Sequence, residues 1–136
     1  MCNKTLKIGI VTGVVGIAVS VVLSMLASGM TMPLFQQSAA LWKSWTAPEM
    51  WLVYIVPLWV GLLMALFYSN FDKKSHMYRN GLMFGLKTWL LVSVTGMAMT
   101  YSSMAVPGAL VGLWLATGLV QYVIMGVVVA KMARMK

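Results

Sequence analysis

Side chains that could do acid–base, nucleophilic or metal chemistry are few in this sequence. The chain of 136 residues has two acids, Glu49 and Asp72, one histidine, His76, and one cysteine, Cys2. Paired carboxylates and a Ser–His–Asp arrangement therefore have almost nothing to draw on. A single cysteine excludes disulfide frameworks and thiolate metal cages. We expect a protein that is not an enzyme and that holds no cofactor.

One charged residue, Lys87, falls inside a long apolar stretch. An ionisable group within a membrane span is a functional hypothesis by default. A polar cluster of Lys87 with Gln121 and Tyr122 would bind an anion or line a pore. The alternative is that Lys87, about 9 Å inside the start of its span, extends its stem outward until the ammonium reaches lipid phosphate.

Methionine is the second group with ligand chemistry, at 14 residues. Met30 and Met32 lie at the end of the first apolar stretch, and Met97 and Met99 at the end of the third. Thioethers are soft ligands suited to Cu(I), so these four residues form a candidate metal site. The alternative is that methionine fills irregular gaps between helices, and no histidine or cysteine accompanies the four.

The composition determines which elements must carry these residues. Hydrophobic residues make up 61% of the chain and charged residues 9%, against about 25% charged in soluble domains. Gaps between charges, and a break over residues 101–107, divide the chain into four apolar stretches at about residues 8–28, 50–71, 81–101 and 108–130. Each is long enough to cross a bilayer, where only helices satisfy the backbone. We expect one all-α domain, residues 1–136, folded as a transmembrane four-helix bundle.

The distribution of basic residues predicts the orientation. One side collects eight of them: Lys4, Lys7, Lys73, Lys74, Arg79, Lys131, Arg134 and Lys136. The opposite side has only Lys43. The positive-inside rule then places both termini in the cytoplasm of a bacterial inner membrane, with anionic lipids at the basic side and no nucleic acid as partner. Residues 34–45, with Trp42 and Trp45, predict a short interfacial segment on the outer side.

Small residues recur at every fourth position of the predicted helices, which is the spacing of close helix packing in lipid. The first span has two such series, Gly9 with Gly13 and Gly16 with Ser20 and Ser24; the third has Gly81 and Gly85, and the fourth has Gly108 and Gly112. With few reactive side chains, these faces favour a protein that works by association, as an accessory subunit of a membrane complex or a homo-oligomeric scaffold. The alternative function is a small oligomeric channel or transporter for an ion or small solute.

Overall fold

The structure is a computed structural model that describes residues 3–42, 46–69 and 77–134. Within those ranges the chain is helical and contains no strand, which confirms the predicted all-α class. The helices are α1 (Asn3–Gln37), α2 (Leu52–Ser69), α3 (Met77–Trp89), α4 (Thr95–Ser103) and α5 (Gly108–Arg134). Short 3₁₀ turns cover Ala39–Leu41 and Pro48–Trp51.

Three of these helical stretches are long and apolar enough to cross a membrane: Asn3–Gln37, Tyr78–Ser103 and Gly108–Arg134. A shorter apolar helix occupies Ile55–Tyr68, within α2. The lengths and compositions are compatible with a multi-pass membrane protein, as the sequence predicts.

The first helix is longer than its predicted span. The sequence predicts an end near residue 28, whereas α1 continues to Gln37. The hydroxyls of Ser28 and Thr31 donate to the carbonyls of Met25 and Ala27 within the same helix, so these polar side chains do not interrupt it. Residues 34–37 of the predicted interfacial segment therefore belong to α1, and residues 43–45 lie outside the described ranges.

The third predicted span is one helical run with a π turn at Leu90–Val94 between α3 and α4. The run ends at Ser103, and α5 begins at Gly108. Pro107 explains the position of this break, because a residue before proline is disfavoured in the helical conformation. The predicted boundary over residues 101–107 is thus close to the observed one.

Two helices, α1 and α5, form the centre of the packing. α1 packs along α2 and along α5, and α3 packs along the other side of α5, while α2 and α3 have no extensive backbone contact with each other. The main buried cluster includes Ile8, Met64, Phe84, Met125 and Val129, drawn from four helices. The helices α1, α2, α3 and α5 therefore share this core, and α4 contacts α5 beside it.

The two ends of the molecule differ in chemistry. At one end, which we call the basic end, the Nζ atom of Lys4 donates to the Ala133 carbonyl at 3.4 Å and brings the two chain ends together. The basic end also contains Lys7, Arg79, Lys131 and Arg134. The opposite, aromatic end contains Phe35, Trp42 and Trp114, whose ring centroids lie 5.1–5.9 Å apart.

The aromatic end changes the interpretation of the predicted interfacial segment. Phe35 and Trp42 pack with Leu110 and Trp114 of α5, and the Trp42 indole donates to the Ser38 hydroxyl at 2.9 Å. These side chains therefore pack against other side chains of the same chain.

Lys43, Lys73, Lys74, Trp45 and Lys136 lie outside the described residues.

Candidate functional site

Glycines bring α1 and α2 into direct backbone contact. A Cβ atom added at Gly61 of α2 would lie 2.5 Å from the Gly13 nitrogen and 2.6 Å from the Gly9 carbonyl oxygen. One added at Gly13 would lie 2.6 Å from the Cα atom of Leu58. No side chain fits at these three positions, so this part of the predicted small-residue face packs inside the protein.

The same arrangement joins α3 to α5. A Cβ atom at Gly81 would lie 2.9 Å from the Cα of Val127, and one at Gly85 would touch the Tyr122 carbonyl oxygen. On the facing side, a Cβ at Gly126 would lie 2.8 Å from the Cα of Gly85. Gly61 faces the predicted pair Gly9 and Gly13, and Gly126 faces the predicted pair Gly81 and Gly85. Spacing within one helix does not identify such a partner on another helix.

The predicted face of α1 changes its surroundings along the helix. At Gly16 an added Cβ would meet the end of the Met125 side chain, with the sulfur at 2.8 Å. One turn later Ser20 is half-buried and lines a cavity, and Ser24 is exposed. The face is therefore internal as far as Ser20 and turns outward at Ser24.

The glycines at the start of α5 have a different environment. Gly108, Gly112 and Ala116 are all exposed, and we call them the outward stripe. A Cβ added at Gly112 would meet no atom within 4 Å. At Gly108 the nearest atom would be in the Tyr101 ring, at 3.5 Å. Internal packing therefore gives no reason for a glycine at position 112.

A cavity of about 270 Å³ lies between α1, α2 and α5, and we call it the polar cavity after the Ser20, Gln121 and Tyr122 side chains in its lining. It is lined by Ser20, Val56, Pro57, Val60, Gln121, Tyr122 and Met125. The Nε2 atom of Gln121 donates to the Gly16 carbonyl at 3.1 Å, which links α5 to α1. The Tyr122 side chain also lies close to the Ser93 side chain in the π turn. Gln121 and Tyr122 thus both line this cavity, and the Gln121 amide connects α5 to α1.

Further polar contacts continue along the side of α5 that faces the π turn. The indole nitrogen of Trp89 donates to the Leu115 carbonyl at 3.0 Å. Gly118 leaves room for this contact, because a Cβ there would lie 3.1 Å from the Ser93 hydroxyl and 3.6 Å from the Trp89 ring. The Trp89 contact was not predicted, since a tryptophan in an apolar run has no local pattern that reveals its partner.

A second cavity, of about 460 Å³, opens between α2 and α3, and we call it the lysine groove. It is lined by Val60, Leu63, Met64, Phe67, Phe84, Lys87, Thr88, Leu91 and Val92. Lys87 lines this groove and not the polar cavity, while Val60 lines both. The structure therefore brings together two members of the predicted cluster, Gln121 and Tyr122, and places Lys87 on the other side of Val60.

The four candidate metal-binding methionines lie on helices. Residues two apart on a helix are related by a rotation of about 200° about its axis, so they lie on nearly opposite sides. Met30 and Met32 are 65% and 58% exposed on α1, and Met99 is 68% exposed on α4. Met97 instead packs against the aromatic end. The two side chains of each pair therefore leave nearly opposite sides of their helix.

No protein-family model, curated protein or solved structure matches this chain. In the part that the structure describes, no group of three or more His, Cys, Asp or Glu side chains gathers to hold a metal ion. The arrangement offers two kinds of chemistry: close contact between helix backbones, and binding in one polar and one mainly apolar cavity.

Proposed function

We propose that this chain is a non-catalytic, multi-pass protein of a bacterial inner membrane that works by helix–helix association. Its four spans form a bundle with both termini in the cytoplasm, and it serves as an accessory subunit of a membrane complex or as a homo-oligomeric scaffold. The basic end supports this orientation, because basic residues are retained on the cytoplasmic side.

The outward stripe of α5 is the strongest support for association between chains. Elsewhere glycine spacing coincides with backbone contact, as at Gly13 and Gly85, where an added side chain has no room. Gly112 has the same spacing but open space around it. A glycine inside a helix costs about 0.5–1 kcal/mol relative to alanine. Close approach of a helix from another chain supplies a reason for that cost, since small residues are enriched where helices meet in lipid.

The test is the replacement Gly112→Leu, because a Cβ atom at this position meets no atom of the chain within 4 Å. Native mass spectrometry of gently extracted protein should show a complex for wild type and its loss for this variant. Gly96→Leu is the matched control, since a Cβ at Gly96 also meets no atom within 4 Å but lies on α4. It should keep the complex. The mass of the wild-type complex distinguishes a homo-oligomer from a complex with other polypeptides.

Two results would contradict the association proposal. One is a wild-type protein that remains a single chain at native expression level. The other is a complex that survives Gly112→Leu unchanged. Loss of the complex in both variants would also count against it, because the effect would then not be specific to the outward stripe.

A second candidate function, a small oligomeric channel or transporter, has support from the polar cavity. Gln121, Tyr122 and Ser20 place amide and hydroxyl groups within the apolar helices, where polar residues commonly mark solute paths. Flux of potassium, chloride and protons into liposomes should then fall in Gln121→Leu. Thr117→Val is the control, because its hydroxyl bonds to the Leu113 carbonyl in its own helix. Liposomes without flux above the protein-free background would contradict this function.

A further inference from the structure

We propose that the lysine groove is a binding site for an anionic phospholipid of the bilayer. The phosphate group lies at Lys87, and one acyl chain lies between α2 and α3. This assigns a ligand to a surface that helix–helix association does not use.

The groove results from the way the outer helices α2 and α3 pack on different central helices. α2 packs mainly on α1, and α3 packs on α5, so the two outer helices leave a gap between them. Met64 and Phe84 form the floor of this gap and are only 1% and 5% exposed, whereas Phe67 and Leu91 on its walls are 60% and 73% exposed. Its volume of about 460 Å³ falls in the range of small-molecule sites.

The charge of the groove selects the class of ligand. Among the residues that the structure describes, Lys87 is the charged side chain that lines the groove, together with seven apolar side chains and Thr88. The Thr88 hydroxyl already donates to the Phe84 carbonyl at 2.9 Å, within its own helix. A cation among apolar side chains is complementary to an anion that also carries hydrocarbon.

The order of residues along the groove indicates a lipid and not a soluble anion. Phe84 and Phe67 lie toward the basic end, and Leu91 and Val92 follow Lys87 by one turn in the direction away from it. The part of the groove beyond Lys87 is therefore apolar and suits an acyl chain. On the other side, a lysine stem can reach toward the membrane surface, where a phosphate group lies. Basic pockets between spans at the cytoplasmic side are a known form of lipid recognition.

The experiment compares phosphatidylglycerol and phosphatidylcholine with the same acyl chains, added to the purified full chain and measured by native mass spectrometry. Wild type should retain phosphatidylglycerol about fivefold better, as expected for one lysine contact near the membrane surface. Lys87→Gln should remove this preference, and Lys87→Arg should keep it. The matched control is Lys131→Gln, which removes the same charge from an exposed position outside the groove, and its preference should change less than about twofold.

A second variant tests the acyl chain. Leu63→Trp adds bulk to the groove wall without changing charge, and it should lower retention of both lipids. Glycerol phosphate, which has the headgroup anion without hydrocarbon, should not displace phosphatidylglycerol. Equal losses in Lys87→Gln and Lys131→Gln would overturn the proposal, because the attraction would then be a general property of the basic end. Displacement by glycerol phosphate, or full retention in Leu63→Trp, would also overturn it.

Discussion

Two glycine pairs with the same spacing, Gly9 with Gly13 and Gly108 with Gly112, have opposite surroundings. The first pair lies against Gly61, with atoms of the two backbones as neighbours. The second pair is exposed, and a Cβ atom at Gly112 would meet no atom within 4 Å. Spacing by four therefore indicates a helix face of small residues, but it does not indicate which helix packs on that face. Which face is internal depends on how the other helices are arranged around α1 and α5.

The largest effect is expected for Gly13→Ala. The new Cβ would lie 2.6 Å from the Leu58 Cα, so α1 and α2 must move apart. We expect a loss of about 3 kcal/mol in the free energy of unfolding, at the upper end of the range for overpacking. The measurement is reversible unfolding by SDS in mixed micelles.

Gly29→Ala in the same helix is the control for this prediction. A Cβ at Gly29 meets no atom within 4 Å, so the free energy of unfolding should not fall. Equal stabilities for the two variants would show that α1 and α2 are not in backbone contact at Gly13.

A smaller effect is expected for Gly16→Ala. Its new Cβ would collide with the sulfur of Met125 at 2.8 Å, and not with backbone. Methionine is flexible and can move aside, so we expect a loss of about 1 kcal/mol. In a Met125→Ala background the same replacement should cost less, and a double-mutant cycle measures that coupling. Additive effects would contradict the contact.

Much of the fold is predictable from composition, because helices are the elements that satisfy the backbone in so apolar a chain. The charge gaps and Pro107 identify the break between α4 and α5, and the composition requires helices. The end of α1 is not predictable from hydropathy, because the Ser28 and Thr31 hydroxyls bond inside the helix and allow it to continue.

The candidate site is predictable only in part, because it depends on where each side chain lies around its helix axis. Gln121 and Tyr122 are adjacent on α5, and both reach the polar cavity. Lys87 lies two residues after Gly85, whose face is packed on α5, so it points about 200° around the helix from that face. Its groove depends on the gap between α2 and α3, a property of the packing that no pattern within one helix contains.

Gln121→Leu tests the polar link between α5 and α1. The change removes the hydrogen bond from Gln121 to the Gly16 carbonyl and keeps a side chain of similar size. Side-chain hydrogen bonds between membrane helices contribute about 0.6 kcal/mol on average, and we expect a loss of that order in SDS unfolding. Thr117→Val, whose hydroxyl bonds only within its own helix, is the control. A gain in stability for Gln121→Leu would contradict a stabilising link.

The smallest expected change in the free energy of unfolding is that of Gly112→Ala, and the sign of this change is what tests the comparison. In monomeric protein, Gly112→Ala should leave the free energy of unfolding unchanged or raise it by up to about 1 kcal/mol, because alanine is the better helix former and its Cβ meets no atom. The measurement is the SDS titration used for Gly13→Ala, at a dilution where the wild type is a single chain. A loss as large as that of Gly13→Ala would mean that Gly112 packs inside the chain. The two glycine pairs would then be equivalent, and the outward stripe would no longer support association between chains.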